Sequence, residues 1–231
     1  HFASPEAVFT GYRRDAGELP SLAAIAVAGP VAGGRVRMSN LDWEITLDDI
    51  GQWLGVKKVL LLNDFEAAAQ ALPVLGQEAL VTLRHGEASG RRNLALLGPG
   101  TGLGVAGLVP ASHGWQAVAG EGGHASFAVR SLDEWRLVEE IAAGRRHVSA
   151  EVLLSGGGLT RTCNVLAMRA QSALRAENAA DVGLRALRAS DPHALEAVRL
   201  FTSWLGRFAG DIALTYGALG GVFIAGGVVP R

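Results

Sequence analysis

The sequence predicts an α/β fold, and three observations carry the prediction. Short apolar runs alternate along the chain with capped, amphipathic segments of helical period. Clusters of glycine, Asn, Asp and Glu recur at the C-terminal ends of the apolar runs, where open α/β sheets place their ligands. Hydrophobic residues make up 49% of the 231 positions and charged residues 19%, enough to build a sizeable core in one large domain or two modest ones.

Taken in order, residues 21–29 (SLAAIAVAG) form an apolar run closed by Gly29-Pro30, a buried strand. Residues 33–40 (GGRVRMSN) alternate, a strand with Arg35 and Arg37 on one face. Residues 46–55 predict a helix: Thr46 caps it, Asp49 follows three positions later, and Gly55 ends it. Residues 56–64 (VKKVLLLND) form a strand, and FEAAAQAL a helix stopped by Pro73. A domain boundary is expected near residues 73–76, giving a smaller α/β lobe over 1–74 and a larger one over 75–231. The second series holds a strand over 93–98, a glycine loop over 98–104 and a strand over 105–110. Helices are expected over 132–143, 149–156 with Ser149 as cap, and 159–174. The longest spans 191–220. It opens on Asp191-Pro192, cap and favoured first-turn proline, and closes at Gly220-Gly221. Its C-terminal half is apolar nearly all round and should be buried. A last strand, 221–227, ends in glycines.

Composition excludes several classes. A formal charge of −1 gives no electrostatic case for nucleic acid or an anionic membrane. One cysteine, Cys163, rules out an internal disulfide and any multi-cysteine metal centre, and fits a reducing, cytoplasmic setting. No 18-residue apolar stretch is free of charge, and HFASPEAVFTG has no signal-peptide pattern.

The chemistry-bearing residues fall in four places. GPGTGLG sets Gly98, Gly100, Thr101, Gly102 and Gly104 between two apolar strands. Without Cβ atoms, backbone N–H groups can converge on an anion, and Thr101 adds a hydroxyl. The loop lacks the lysine of a Walker A motif and joins strand to strand, which also disfavours a dinucleotide fingerprint; a plain glycine-rich hairpin has the same spacing. Asp64, at the end of LLLND, is an N-cap, a turn residue or a general base. Glu121 and His124, separated by two glycines, suit a tight loop showing both side chains to one ligand, and a metal there would need further ligands. Glu151 follows Ser149 and equally decorates a helix N-terminus. A polyol ligand rationalises Asn, Asp, Glu and His together, since sugar hydroxyls both donate and accept.

Five segments in order, LLNDFEAAAQALP, LGPGTGLGVAGLVP, VAGEGGHASFA, HVSAEVLLSGGGL and GGVFIAGGVVP, resemble the bacterial ATP-dependent glucokinases of the hexokinase, Hsp70 and actin superfamily. The resemblance runs across nearly the whole chain. It implies a ribonuclease H-like (actin-like ATPase) two-lobed α/β sugar kinase fold, closing over glucose and ATP. It implies that Asp64 is the catalytic base for the sugar 6-hydroxyl, that Asn63 binds neighbouring hydroxyls, and that Glu121, His124 and Glu151 complete the glucose contacts, with Asn40 nearby. Gly98, Gly100, Thr101, Gly102 and Gly104 would lie in the second phosphate loop, and Gly226 and Gly227 in the adenosine-side motif. Mg2+ would travel with the nucleotide, and a homodimer is the form often met in the family.

Departures from the family pattern are specific. Residues 1–20 hold no Asp-x-Gly-Gly-Thr-type first phosphate loop, and the family continues past residue 231 with a helix. The expectation is therefore a piece of a longer protein, with unpaired strand edge in the smaller lobe. Arg146 stands where glycine is usual before HVSAE, and Gly157 where proline is common in Ser-Gly-Pro-Gly. The alternatives are a kinase of another hexose or an N-acylhexosamine, and a non-catalytic sugar-binding protein. The single cysteine disfavours the branch that carries a cysteine-rich zinc motif.

Overall fold

Side-chain caps decide where most of the helices begin. The computed structural model describes residues 2–18, 21–38, 41, 43–87 and 90–229, and the chain divides into two compact units, His1–Val74 and Leu75–Arg231.

The first unit opens with α1 (Pro5–Asp15), capped by Ser4, whose hydroxyl accepts from the Ala7 N–H. The sequence reading missed this helix. Strands β1 (Leu22–Val27), β2 (Val31–Ala32), β3 (Arg35–Arg37) and β4 (Glu44–Thr46) follow, then α2 (Leu47–Leu54), β5 (Lys58–Asn63) and α3 (Asp64–Ala71). β1 and β5 pair in parallel, with Val27 opposite Asn63, while β2, β3 and β4 form a small antiparallel sheet. In β3 the alternation is realised: Val36 is fully buried and Arg35 and Arg37 are exposed. The Thr46–Asp49 capping box starts α2, and Gly55 ends it at φ +74, a conformation most residues reach only with strain. The core gathers Val27, Val36, Ile45, Ile50, Leu54, Val56 and Leu61, and Phe9 of α1 stacks on Trp53 at 5.8 Å.

In the second unit β6 (Leu94–Pro99), β7 (Leu103–Ala111), β8 (Gly114–Gly120) and β9 (Gly221–Ile224) make one sheet in the order β8-β7-β6-β9. Only the β6–β9 pair is parallel. Helices α4 (Leu132–Ala142), α5 (Ala150–Leu153), α6 (Gly156–Arg169), α7 (Ala179–Leu187) and α8 (Pro192–Tyr216) complete it. β6 is buried along its whole length, as its unbroken apolar run requires.

Several boundaries differ from the sequence reading. The glycine loop is shorter than 98–104, because the β6–β7 ladder runs to Pro99 and resumes at Leu103, pairing Gly98 with Gly104. α6 begins at Gly156, where Ser155 caps it by accepting from the Gly158 N–H, and stops at Arg169 rather than 174. Asp191 caps α8 as expected, but the helix ends at Gly217 (φ +56), three residues before Gly220. Its C-terminal half is not buried all round. Trp204, Leu205, Phe208 and Ile212 face the core, while Leu214 is 83% exposed. An apolar composition set the first expectation; the single contact face of the helix decides the outcome. β8 and α7 were also missed. β8 carries few large apolar residues, and α7 was signalled only by Asn178 and Asp181, a cap and its third successor.

A half-buried ion pair ties α8 to α4. Arg207 donates to both oxygens of Glu134 at 2.6 and 3.0 Å, Trp204 Nε1–H donates at 2.6 Å, and the Arg130 N–H completes the set. Burial pushes the Glu134 carboxyl up, but these hydrogen bonds and the Arg207 charge outweigh it and hold the group below the usual carboxylate range. An unfolded glutamate titrates near about 4.3. The pair therefore stabilises the fold above that pH, and the contribution is lost as pH falls through the lower folded value. Glu134→Gln is expected to lower stability at pH 7 by about 1.5–3 kcal/mol, since it removes the charge that meets the half-buried Arg207 guanidinium. The loss should shrink at pH 3. Urea unfolding at both pH values checks this; equal losses would show that the charge is not what matters.

Candidate active site

The strand end at LLLND is built by Asn63, not Asp64. Asn63 is the N-cap of α3: its Oδ1 accepts from the Phe65 N–H at 2.9 Å and the Glu66 N–H at 3.3 Å, and Glu66 reaches back to the Asn63 N–H. Its Nδ2 donates to the Gly29 carbonyl at 3.1 Å, across from β5 to the end of β1. The amide thus spends three of its four hydrogen-bonding positions on the fold, and one N–H is left for a ligand. Asp64 is the first residue of α3, exposed, with Oδ1 accepting from the Phe65 N–H at 2.9 Å. The N-cap reading of Asp64 is corrected, and its second oxygen is open. Asn40 lies outside the described residues.

In the second unit Glu151 and the turn between Glu121 and His124 both meet the backbone of Leu103. The Leu103 N–H donates to Glu151 Oε2 at 2.9 Å. A Cβ on Gly102 would stand 2.5 Å from the same carboxylate oxygen, so the carboxylate lies directly against the glycine loop. Glu151 is therefore more than a decoration of a helix start, and Ser149 at the cap position makes no side-chain capping bond. On the other side of Leu103, its carbonyl oxygen lies against Gly123, where a Cβ would collide with it. Gly122 packs less tightly, on the side chain of Val105, at 2.9 Å from Cγ1 to the added atom. The two glycines between Glu121 and His124 let this one-turn 3-10 helix, Gly122–His124, lie against β7, Gly123 on its backbone and Gly122 on the Val105 side chain.

The helix holds Glu121 and His124 side by side, with Nε2 to Oε2 at 3.8 Å and both side chains more than half exposed. Backbone pairing of Phe127 N–H with Val148 O and of Ala150 N–H with Ala125 O brings this segment beside α5 and Glu151. His147 Nε2–H donates to the His124 carbonyl at 2.8 Å. Sequence reasoning assigned His147 nothing, and no local pattern signals a contact made through another residue's backbone. Among the described residues no group of three or more His, Cys, Asp or Glu side chains is placed to hold a metal ion.

The glycine loop opens onto a cleft of about 740 Å3, lined by Gly100 and Thr101, Gly156 and Gly157, Thr160 and Arg161, the start of α7, and Gly227 and Val228. Gly156 N–H donates to Gly100 O at 2.8 Å, docking the start of α6 on the loop. Gly226, at φ +89, presses against the Pro99 carbonyl, 2.9 Å from an added Cβ to the Gly98 carbonyl carbon. The glycines of the two predicted nucleotide motifs thus touch each other, through β6 and β9. The cleft is open, its volume falls in the range of small-molecule and cofactor sites, and glycines 100, 156, 157 and 227 form part of its lining. Asn178 at the start of α7 also lines it, a residue the sequence reading passed over.

This arrangement belongs to the two-lobed α/β sugar kinases of the actin and hexokinase superfamily. A glucokinase from an Antarctic psychrotroph superposes with a TM-score of 0.85 at 34% identity, over 100% of this chain and 72% of the other. A glucokinase from Balamuthia mandrillaris shares the fold, with a TM-score of 0.76 at 23% identity. The Glucokinase family profile matches residues 1–231, and the chain belongs to that family. Curated relatives include glucokinases of Aromatoleum aromaticum, 42% identical over 92% of this chain, and of Chromobacterium violaceum, 46% identical over 90%. The chain spans 64% and 60% of the length of these two relatives. Among the described residues no helix is long and apolar enough to cross a membrane.

Proposed function

We propose that this protein transfers the γ-phosphoryl group of ATP to the 6-hydroxyl of glucose. The observation that carries the reading is the double use of Leu103. Its two backbone groups hold the glycine loop, Glu151 and the Glu121–His124 turn in one block. A carboxylate, a carboxylate–histidine pair and an anion-binding loop in one rigid piece suit a polyol beside a polyphosphate.

In this reading glucose hydroxyls meet Glu121, His124 and Glu151, the free N–H of Asn63, and Asn40. Asp64 accepts the 6-hydroxyl proton as O6 bonds to phosphorus, the bond from phosphorus to the β-phosphate oxygen breaks, and ADP leaves. ATP lies in the glycine-walled cleft, with Gly98 to Gly104 and Thr101 around its phosphates and Gly226 and Gly227 against the adenosine. The absence of side chains there lets backbone N–H groups reach the ligand. Mg2+ enters with the nucleotide and offsets its charge. Positioning and neutralisation are most of what phosphoryl transfer asks of a protein. A cytoplasmic setting suits an ATP-dependent reaction, and a homodimer remains the family-based expectation.

Calorimetric titration with glucose, with galactose and an N-acylhexosamine as controls, tests the sugar assignment. Saturable heat with glucose alone is expected. Saturation by the N-acylhexosamine and not by glucose would move the protein to a different sugar kinase specificity. Binding without any formation of glucose 6-phosphate in the presence of MgATP would remove the catalytic claim.

A further inference from the structure

Among the described residues, two arginines in the second unit carry a buried Nε with no hydrogen-bond partner, Arg161 and Arg207. They differ in what meets their charge. Arg207 is forked onto Glu134. Arg161 is paired with no carboxylate among the described residues; its Nη2–H donates to the Val152 carbonyl at 2.6 Å, and its Nε is buried. Arg161 lies on the second turn of α6 and lines the nucleotide-sized cleft together with Gly100, Thr101 and Gly157.

Gly157, a departure from the family's usual proline, explains how the guanidinium comes to be there. A Cβ at 157 would stand 3.1 Å from Arg161 Nη1, tighter than ordinary contact, so the bare backbone is what the guanidinium lies against. Burial, and then the charge of Arg145, depress the Arg161 pKa from its ordinary value. An arginine remains charged nonetheless, so a desolvated cation faces the cleft with a like charge near it. Glu177 is the one carboxylate on the cleft wall, and it is exposed. A half-buried cation without a counter-charge is costly in the empty protein and becomes favourable when an anion arrives.

We propose that Arg161, given room by Gly157, binds the polyphosphate of the nucleotide in this cleft. The proposal rests on the ATP reading above and adds a named cation to a cleft whose lining is otherwise uncharged apart from Glu177. The bond to Val152 fixes one edge of the guanidinium and leaves another to donate to phosphate oxygens. Arginine presents its donors in a planar fork suited to that task, which a lysine point charge does not reproduce.

The test is calorimetric titration of the protein with ADP and with adenosine, for the parent, Arg161→Gln and Arg161→Lys, at two salt concentrations. Arg161→Gln should weaken ADP binding about ten- to hundredfold, the usual worth of hydrogen bonds to a charged group. Adenosine binding should stay within twofold of the parent. The salt dependence of ADP binding should flatten in Arg161→Gln and persist in Arg161→Lys, whose ADP affinity should lie between the other two. Equal weakening of ADP and adenosine in Arg161→Gln would show that the residue only supports α5 and α6, and would overturn the proposal. ADP affinity unchanged in both variants would overturn it as well. A parent protein that binds neither compound would overturn the nucleotide reading itself, and this proposal with it. If Arg161→Gln does not fold, Arg161→Lys decides alone: an ADP affinity and salt slope equal to the parent's would sink the proposal.

Discussion

Exchange of Asp64 for Asn is expected to lower kcat by about 10²–10⁴-fold, the usual contribution of a positioned general base, while glucose binding stays measurable. The reason is that the exchange is local. Asp64 is not the cap of α3; Asn63 is, through the Phe65 and Glu66 N–H groups. The bond that Asp64 does accept, from the Phe65 N–H, is one that an asparagine Oδ1 accepts equally well. Helix α3 and its packing should therefore survive, and thermal stability should move by less than about 1 kcal/mol. What the amide cannot do is take the proton of the 6-hydroxyl. Turnover measured by glucose 6-phosphate formation, beside calorimetric glucose affinity, separates the two effects. Turnover at the parent level would remove Asp64 from the role of base. Loss of glucose affinity in parallel with turnover would make it a binding residue instead.

A methyl group at Gly123 is expected to do wider damage. The added Cβ would run into the carbonyl oxygen of Leu103, which is backbone and cannot swing aside as a side chain would. Either the Gly122–His124 turn lifts from β7 or the start of β7 shifts. A shift at Leu103 reaches further, because the N–H of the same residue holds Glu151, and Glu151 lies against Gly102. Overpacking of this kind costs typically about 1–3 kcal/mol, and the upper half of that range is expected here. For a unit of this size that corresponds to a fall in Tm of roughly 5–10 °C. Glucose and nucleotide affinity should fall together, each by about tenfold or more, although the methyl group touches neither proposed ligand. A Gly123→Ala protein with parent Tm and parent affinities would mean that the turn has slack, and that Leu103 does not hold the two halves of the site together.

The two predictions test different kinds of knowledge. That LLLND ends a strand and that a glycine loop follows NLALLG were legible from local pattern alone. So were the Thr46–Asp49 capping box, the Asp191-Pro192 helix start and the glycine stop at residue 55. Each depends on residues within a turn or two of one another, and hydrophobic period, caps and φ preference act over that range. The candidate residues Asp64, Glu121 and His124 stood out for a related reason, as polar groups at a strand end or beside glycines in an apolar chain; Glu151, equally a decoration of a helix start, was singled out by the family resemblance.

Tertiary contacts decided the rest. Nothing in the sequence says that Asn63 spends most of its amide on Gly29 and α3, because Gly29 is 34 positions away. Nothing says that residue 103, an ordinary leucine, ties Glu151 to the turn at residue 123, since one hydrogen bond and one close approach of its backbone do so. The exposed side of α8 and the charge of Arg161, met by no carboxylate among the described residues, were hidden in the same way, since burial and pairing depend on which element lies opposite. Local physics set where the strands, helices and turns begin. Which polar groups are used up in holding them, and which are left free for a ligand, was decided only when the distant segments packed.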